Sequence, residues 1–281
     1  MLSFTEQQVR EILLKIENEN TDSNLGFFSK PYLVDYENQP FIVKTYLPIK
    51  SHKLTSSIIE NHHQYVTELS ATGIRVPQTF ITQLKQKHKY QIVIVQYAFK
   101  KEELFRDIVA TSSIEDVKIH CQQILEQTMI FWENKAENIG FHPTLRNYAL
   151  HNNELHYFDT FPPMSMDQIA LNKIIIKLSP FGKLIKGLVP QKAINRVSNE
   201  YYQIDKMITG IVGSCCRLRP DAIEGILEVS KAFVSNSSLD TSTKKRIIEE
   251  IETPPNLSTI WTTVRKLSGN IWQPNVKKSN E

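Results

Sequence analysis

The sequence predicts an α+β protein with two lobes, a small antiparallel-sheet lobe followed by a larger, mainly helical lobe. Two observations predict this division. The first 98 residues contain short runs rich in β-branched and aromatic residues around one helical segment, and residues from about 113 onward follow helical spacing. A loop and hairpin at 140–163 interrupt the helical half. We therefore expect an N-terminal lobe at 1–98 and a C-terminal lobe at 99–281.

The N-terminal lobe is predicted to contain an opening helix, five strands and a second helix. Apolar residues recur at helical spacing in 4–18, which indicates an amphipathic helix. Three strands are expected from the runs LGFF, PYLVDY and PFIVKTYL, with a turn at Glu37–Asn38. Residues 54–72 return to helical spacing and end before Gly73. Two more strands follow, RVPQTFIT and YQIVIVQYAF, separated by the polar turn KQKHK.

Composition narrows the classes of partner. Hydrophobic residues make up 41% and charged residues 22% of the chain, and the net charge is only +3, so a nucleic-acid partner is not expected. The three cysteines have neither metal-ligand nor disulfide-framework spacing, and the N-terminus lacks the apolar core of a signal peptide. These features predict a cytoplasmic protein. Residues 170–190 are apolar with interspersed lysines, which predicts either core helices or contact with a membrane surface.

Lys44 is the one charged residue in the apolar run FIVKTYL. An ammonium group inside an apolar strand needs an anionic partner or solvent, because burying an unpaired charge is costly. The position therefore predicts either a phosphate-binding lysine or a lysine of an edge strand that faces water. Phosphoryl transfer would use such a cation together with oxygen ligands for magnesium and a group that orients the acceptor hydroxyl.

The segment GFHPTLRNYALHNNELHYFDTFPP at 140–163 carries the most specific pattern. Asn147 is followed by an alternating run around an Asn-Asn turn, which predicts a short hairpin, and Asp159 comes twelve residues after Asn147. An amide and a carboxylate supply the hard oxygen ligands that magnesium prefers. The alternative is that both residues cap turns of the hairpin. The segment resembles the catalytic loop, hairpin and metal-binding aspartate of aminoglycoside and choline kinases, a branch of the protein-kinase-like superfamily.

This resemblance implies a protein-kinase-like two-lobed fold and an ATP- and Mg²⁺-dependent phosphotransferase that acts on a small hydroxylated molecule. In such a protein, Lys44 would bind the nucleotide phosphates, while Asn147 and Asp159 would hold magnesium. The run IVIVQYAFKKEELFRDIV resembles the last strand of the small lobe and the hinge at which backbone groups bind adenine. The residues implied for that hinge are Gln96, Tyr97 and Ala98.

His142 departs from the family pattern, because it occupies the position of the catalytic aspartate, five residues before Asn147. A histidine accepts a proton near neutral pH and would serve as a general base for the acceptor hydroxyl. It is equally compatible with lost activity. The alternative function is therefore a pseudokinase, a nucleotide- or partner-binding module without turnover.

Two further charged residues are candidates for the same site. Arg146, beside Asn147, would either neutralise phosphate charge in the transition state or form a structural salt bridge. Glu60, on the helix predicted at 54–72, is preferred over Glu68 as the partner of Lys44, because we expect Glu60 to begin the side of the helix that faces the sheet.

Overall fold

The structure, a computed structural model, describes residues 2–19, 30–165, 168–178, 192, 195 and 199–255. Within these residues the main helices and strands are, in order, α1 Glu6–Glu19, β1 Lys30–Tyr36, β2 Gln39–Thr45, α2 His52–Ala71, β3 Thr79–Gln86, β4 Lys89–Tyr97, α3 Phe105–Thr111, α4 Ile114–Asn134, β5 Tyr148–His151, β6 Glu154–Tyr157, α5 Gln168–Leu178, α6 Ile204–Leu218, α7 Ile223–Asn236 and α8 Thr241–Glu250. A sheet lobe is followed by a mainly helical lobe, as the sequence predicts.

The sheet of the N-terminal lobe is antiparallel, with the strand order β1-β2-β4-β3. Between β1 and β2 the chain turns at Glu37 and Asn38, whose φ angles of 51° and 60° belong to a two-residue hairpin turn. The predicted turn is confirmed. Most of the run KQKHK lies in β3 and β4 rather than in the turn between them. The fifth predicted strand, at 25–28, lies outside the described residues.

Different helices cover the two faces of this sheet. On one face, Phe41 and Val43 of β2 join a buried cluster with Val9 and Ile12 of α1. Side chains alternate along a strand, so the intervening residues of β2 point to the opposite face, which α2 covers. Lys44 is one of them. The alternation of β2 therefore directs the lysine towards the junction with the C-terminal lobe.

Helix α2 begins at the cap Ser51, whose hydroxyl accepts a hydrogen bond from the Leu54 amide, and ends before Gly73, which has a φ of +89°. Its buried residues share one face and are Thr55, Ile58, His62, Tyr65 and Leu69. Glu60 is exposed. The prediction that Glu60 begins the sheet-facing side is wrong, because Glu60 lies two residues from both Ile58 and His62 and therefore on the opposite side of the helix.

The C-terminal lobe is built around α4, which packs against α6 and α7. The β5–β6 hairpin lies where this lobe meets the sheet lobe, since the Tyr157 amide donates a hydrogen bond to the Arg75 carbonyl over 2.8 Å. The hairpin turns at Asn152 and Asn153, with φ angles of 52° and 62°. The Asn-Asn turn predicted from the sequence is confirmed.

Helix α5 joins the two lobes. Its Ile174 and Leu178 share a buried cluster with Tyr46 and Ile58 of the sheet lobe. The described part of the predicted 170–190 segment therefore contributes a core helix, whereas its remainder from 179 onward lies outside the described residues.

Two further findings concern the cysteines and the apolar character of the helices. Cys121, Cys215 and Cys216 are buried free thiols. Among the described helices, none combines the length and apolar character needed to cross a bilayer.

Candidate functional site

The loop before the β5–β6 hairpin is held in a defined shape by its own hydrogen bonds. The side-chain amide of Asn147 donates through Nδ2 to the carbonyl of His142 over 2.8 Å, and the Thr144 amide donates to the same carbonyl over 3.0 Å. The Asn147 carbonyl accepts from the Phe158 amide over 3.0 Å. Asn147 is thus buried at the point where the loop and the hairpin join.

Asp159 follows β6 and lies beside this loop. Its Oδ2 is 4.0 Å from Nδ1 of His142, and that ring nitrogen is 3.4 Å from Nδ2 of Asn147. About a third of each side chain is accessible, 33% for His142 and 35% for Asp159. The structure therefore brings the three polar residues of the predicted loop together, with the carboxylate and the imidazole both reachable from solvent.

Lys44 reaches the same place from the sheet lobe. Its Nζ donates to the Phe158 carbonyl over 3.2 Å and lies 5.9 Å from the centre of the Phe158 ring. Burial lowers the pKa of Lys44, and the negative charge of Asp159 opposes that shift. The lysine is not the water-facing residue of an edge strand, since β2 lies between β1 and β4. It contacts the residue immediately before Asp159.

Helix α2 presents His62, not Glu60, to this region. The Nε2 of His62 lies 2.9 Å from the hydroxyl of Thr160, and Nδ1 is buried with no hydrogen-bond partner among the described residues. Burial, with smaller contributions from His63 and Lys44, lowers the pKa of His62 to about 3. A neutral imidazole therefore occupies the side of α2 on which the sequence analysis expects a carboxylate.

The predicted hinge residues lie at the end of β4, but their polar groups are largely used within the protein. The side chain of Gln96 is buried and donates to the hydroxyl of Thr79 over 2.8 Å. The amides of Tyr97 and Ala98 donate to the carbonyls of residues 78 and 40 over 3.4 and 3.1 Å. Adenine recognition through these two amide N–H groups is therefore not supported.

Arg146 lies in a 3₁₀ turn, Leu145–Asn147, directly beside Asn147, and its side chain is half-buried. The two roles expected for it, neutralisation of phosphate charge and a structural salt bridge, both remain predictions.

Tyr201 is a neighbour of the loop that sequence reasoning missed. Its ring centre is 4.7 Å from that of His142, with 50° between the ring planes, and its carbonyl accepts from the Phe141 amide over 2.7 Å. Burial raises the pKa of Tyr201, so its hydroxyl stays neutral. No local pattern marks this contact, because Tyr201 belongs to a 3₁₀ turn, Glu200–Tyr202, far along the chain.

His62, by contrast, had a signal in the sequence. It falls at helical spacing with Ile58 and Tyr65, both of which are buried, so the periodicity of α2 places it on the inner face. Its chain neighbour His63 is exposed.

The oxygen atoms at this site fit a magnesium ion that is shared with phosphates. Because Nδ2 of Asn147 donates to the backbone, Oδ1 is the atom of this amide that would ligate a cation. Asp159 adds a partly exposed carboxylate. The described residues contain no group of three or more His, Cys, Asp or Glu able to hold a metal by themselves. Magnesium is commonly bound by one or two protein oxygens together with phosphates and water.

The order of elements is that of a kinase-like two-lobed fold, with a lysine-bearing central strand, a covering helix, and a loop and hairpin that begin the helical lobe. Among solved structures, the chain is similar to the MAP kinase LmaMPK10 from Leishmania major, with 12% identity and a TM-score of 0.33 over 92% of this chain and 78% of that one. It is also similar to the proinflammatory kinase CtkA from Helicobacter pylori, with 13% identity and a TM-score of 0.33 over 88% of this chain and 95% of that one. These values carry no information about activity.

No curated protein matches the chain. A family model described as a family of unknown function, DUF6206, matches residues 6–270. Because this match spans most of the chain, the protein belongs to the DUF6206 family.

Proposed function

We propose that the protein is an ATP- and Mg²⁺-dependent phosphotransferase that acts on a small hydroxylated molecule, in the manner of the aminoglycoside and choline kinases. The observation that carries the proposal is the position of Lys44 beside Asp159 and Asn147. The Nζ of Lys44 donates to the Phe158 carbonyl and is attracted by Asp159, and the Phe158 amide donates to the Asn147 carbonyl. Lys44, Asp159 and Asn147 come from separate elements of both lobes, and together they supply a cation for phosphates and two oxygen ligands for magnesium.

In this proposal Lys44 binds phosphate oxygens of ATP, and Asn147 and Asp159 hold the magnesium ion. Magnesium would neutralise charge on the phosphates. The protein then has to position the acceptor, and we assign this role to His142. Its Nδ1 lies 4.0 Å from the Asp159 carboxylate, and a neutral imidazole at this place would accept a proton from the acceptor hydroxyl.

The proposal also assigns positions to ATP and the acceptor, a role to Arg146 and a cellular compartment. ATP lies between the lobes, with adenine near the end of β4, where residues 96–98 contribute groups other than the amides of Tyr97 and Ala98. Arg146 neutralises charge on the transferred phosphoryl group. The acceptor is bound by the helical lobe. We place this activity in the cytoplasm, where three buried thiols without disulfides are compatible with the reducing conditions.

A second candidate function is a pseudokinase that binds nucleotide without turnover, and a specific observation favours it. Two positions that face the site carry histidine, His62 on α2 and His142 in the loop. His62 is neutral and therefore offers no charge to hold the ammonium of Lys44 in place. Asp159 is then the carboxylate that acts on Lys44.

Thermal unfolding of the purified protein with ATP, magnesium and both together tests the nucleotide site that the two candidates share. A ligand that binds only the folded state raises the apparent stability, by about 2.7 kcal/mol at a concentration 100 times its Kd. We expect stabilisation by ATP that depends on magnesium and is absent in Asp159→Asn. Asp35→Asn, the same change at an exposed position of β1, is the matched control. No stabilisation of the wild type at millimolar ATP contradicts both candidates.

Transfer of the γ-phosphate to a panel of small hydroxylated molecules separates the two candidates. The enzyme predicts transfer that slows in His142→Ala while the Kd for ATP is nearly unchanged. The pseudokinase predicts nucleotide binding without transfer, and His142→Asp then tests whether the missing carboxylate alone accounts for inactivity.

A further inference from the structure

One end of the sheet lobe carries a cluster of lysines, which we call the lysine tip and define as Lys50, Lys53, Lys85, Lys87 and Lys89; the first four are exposed and Lys89 is half-buried. Two stretches of chain meet there. Ile49 and Tyr90 exchange backbone hydrogen bonds of 2.9 and 2.7 Å, and this bridge brings Lys50 and Lys89, the neighbouring residue in each stretch, to the same end of the sheet. The other lysines lie in the adjacent β3–β4 hairpin and in the first turn of α2.

Acidic residues that would balance this charge are missing from both stretches. The sequence has no Asp or Glu in 38–59 or in 69–101. From α1, Arg10 donates to the carbonyl of Lys85 over 3.2 Å, and the acid that accompanies it, Glu6, is already paired with Arg10 over 2.6 Å. The tip is therefore a locally positive surface on a chain whose net charge is only +3.

This arrangement opposes the stability of the folded protein. Like charges that lie close together repel, and Lys50 and Lys89 are adjacent to the same bridge. The first turn of α2 contains His52 and Lys53 and no acidic residue, although acidic residues are favoured at that end of a helix. Folding does not explain the lysine tip, whereas binding to a negatively charged partner does.

An exposed leucine beside the lysine tip indicates which kind of negatively charged partner binds there. Leu47, two residues before the Ile49 bridge, is 43% exposed. Helix α5 packs into the cluster that contains Tyr46, and its Lys173 and Lys177 are exposed. Lysines with an exposed leucine match an anionic lipid surface, since the leucine enters the headgroup layer while the lysines contact phosphates. A nucleic-acid backbone would use the lysines but not the leucine.

We propose that the lysine tip docks the protein on an anionic lipid surface. The docking places the sheet lobe against the membrane and is independent of the nucleotide site. Each lysine near such a surface strengthens binding by about fivefold, so removal of three lysines weakens it by about 100-fold.

Co-sedimentation of the full chain with phosphatidylcholine vesicles, with and without phosphatidylserine, tests this proposal. We expect binding only to the vesicles with phosphatidylserine, and weaker binding as salt increases. The variant Lys50→Gln, Lys87→Gln, Lys89→Gln should lose about 100-fold in affinity. A matched control replaces Lys135, Lys231 and Lys245 of the helical lobe by Gln, which lowers the net charge from +3 to 0 in the same way.

Four outcomes overturn the proposal. The wild type does not bind the phosphatidylserine vesicles at low salt, or the control variant loses as much affinity as the tip variant. Alternatively, Lys183→Gln with Lys186→Gln abolishes binding while the tip variant binds normally, which assigns the surface to the 179–190 stretch. Finally, a DNA duplex binds with the same dependence on the tip lysines while vesicles do not.

Discussion

Lys44→Met should make the protein more stable and weaken its binding of ATP. Lys44 is half-buried, and its ammonium lies between the lobes, where it donates a hydrogen bond to the Phe158 carbonyl and is attracted by Asp159. Burial lowers the pKa of Lys44, which means that holding the charged form inside the folded protein costs free energy. Methionine fills a similar volume without a charge, and Asp159 stays solvated after the replacement because about a third of its side chain is accessible, so the cost of burying the ammonium is removed. We expect a stabilisation of about 1 kcal/mol after loss of the hydrogen bond.

The stabilising effect of Lys44→Met should depend on pH. The pKa of Lys44 is lower in the folded chain than its ordinary value of 10.5, so between these two pKa values the unfolded chain binds more protons than the folded chain. The stability of the wild type therefore rises with pH towards 10.5, and the advantage of Lys44→Met is largest at neutral pH and shrinks as the pH is raised. Urea unfolding at several pH values measures both effects.

Affinity for ATP should change in the opposite direction. A hydrogen bond between a charged amine and a phosphate contributes about 1.5–3 kcal/mol, so Lys44→Met should raise the Kd for MgATP by about 10- to 150-fold. Lys245→Met, on the exposed surface of α8, should change neither quantity appreciably. Our account of Lys44 is refuted if Lys44→Met destabilises the protein and leaves the Kd for MgATP unchanged.

Three further variants test the surroundings of the site. The pKa of His62 is about 3 in the folded chain and 6.5 in the unfolded chain, so the unfolded chain takes up a proton first as the pH falls. Wild-type stability should therefore fall by about 2 kcal/mol between pH 6.5 and about pH 5, and urea unfolding of His62→Gln should show a much smaller fall. An unchanged pH profile in this variant argues against a buried neutral imidazole. Gly140→Ala places a methyl carbon 2.9 Å from the ring of Tyr202 and should destabilise the protein by about 1–3 kcal/mol, measurable in the same assay, and wild-type stability shows that the loop has room to move. Tyr201→Leu should shift the NMR signals of the His142 ring protons, because it removes the aromatic ring whose centre lies 4.7 Å from that of the imidazole, whereas Tyr201→Phe should preserve them. Equal shifts in both variants would contradict the ring contact.

The sequence was sufficient where the signal is local. Alternating apolar residues and the pairs Glu37–Asn38 and Asn152–Asn153 predicted hairpins that the structure contains. Lys44 could be singled out because a charge in an apolar strand is rare, and the spacing of Asn147 and Asp159 identified the two ends of one hairpin. Each of these inferences needed only neighbouring residues.

Features that depend on the packing of distant segments could not be predicted with the same security. The choice of Glu60 depended on the rotation of α2, which the buried positions Ile58 and Tyr65 fix and which brings His62 inward instead. The amides of Tyr97 and Ala98 are committed to neighbouring segments, a pairing that β4 alone does not reveal. Tyr201 contacts His142 of the loop only because folding brings two distant segments together, and no sequence motif indicates this contact.

The dependence of MgATP binding on Asp159 tests the central claim most directly. We predict that ATP stabilises the wild type only when magnesium is present, by about 5 °C in thermal unfolding at saturating ligand, that Asp159→Asn shows no such shift, and that Asp35→Asn behaves as the wild type does. An equal shift in Asp159→Asn, or none in the wild type, would contradict the assignment of this site to a magnesium-bound nucleotide.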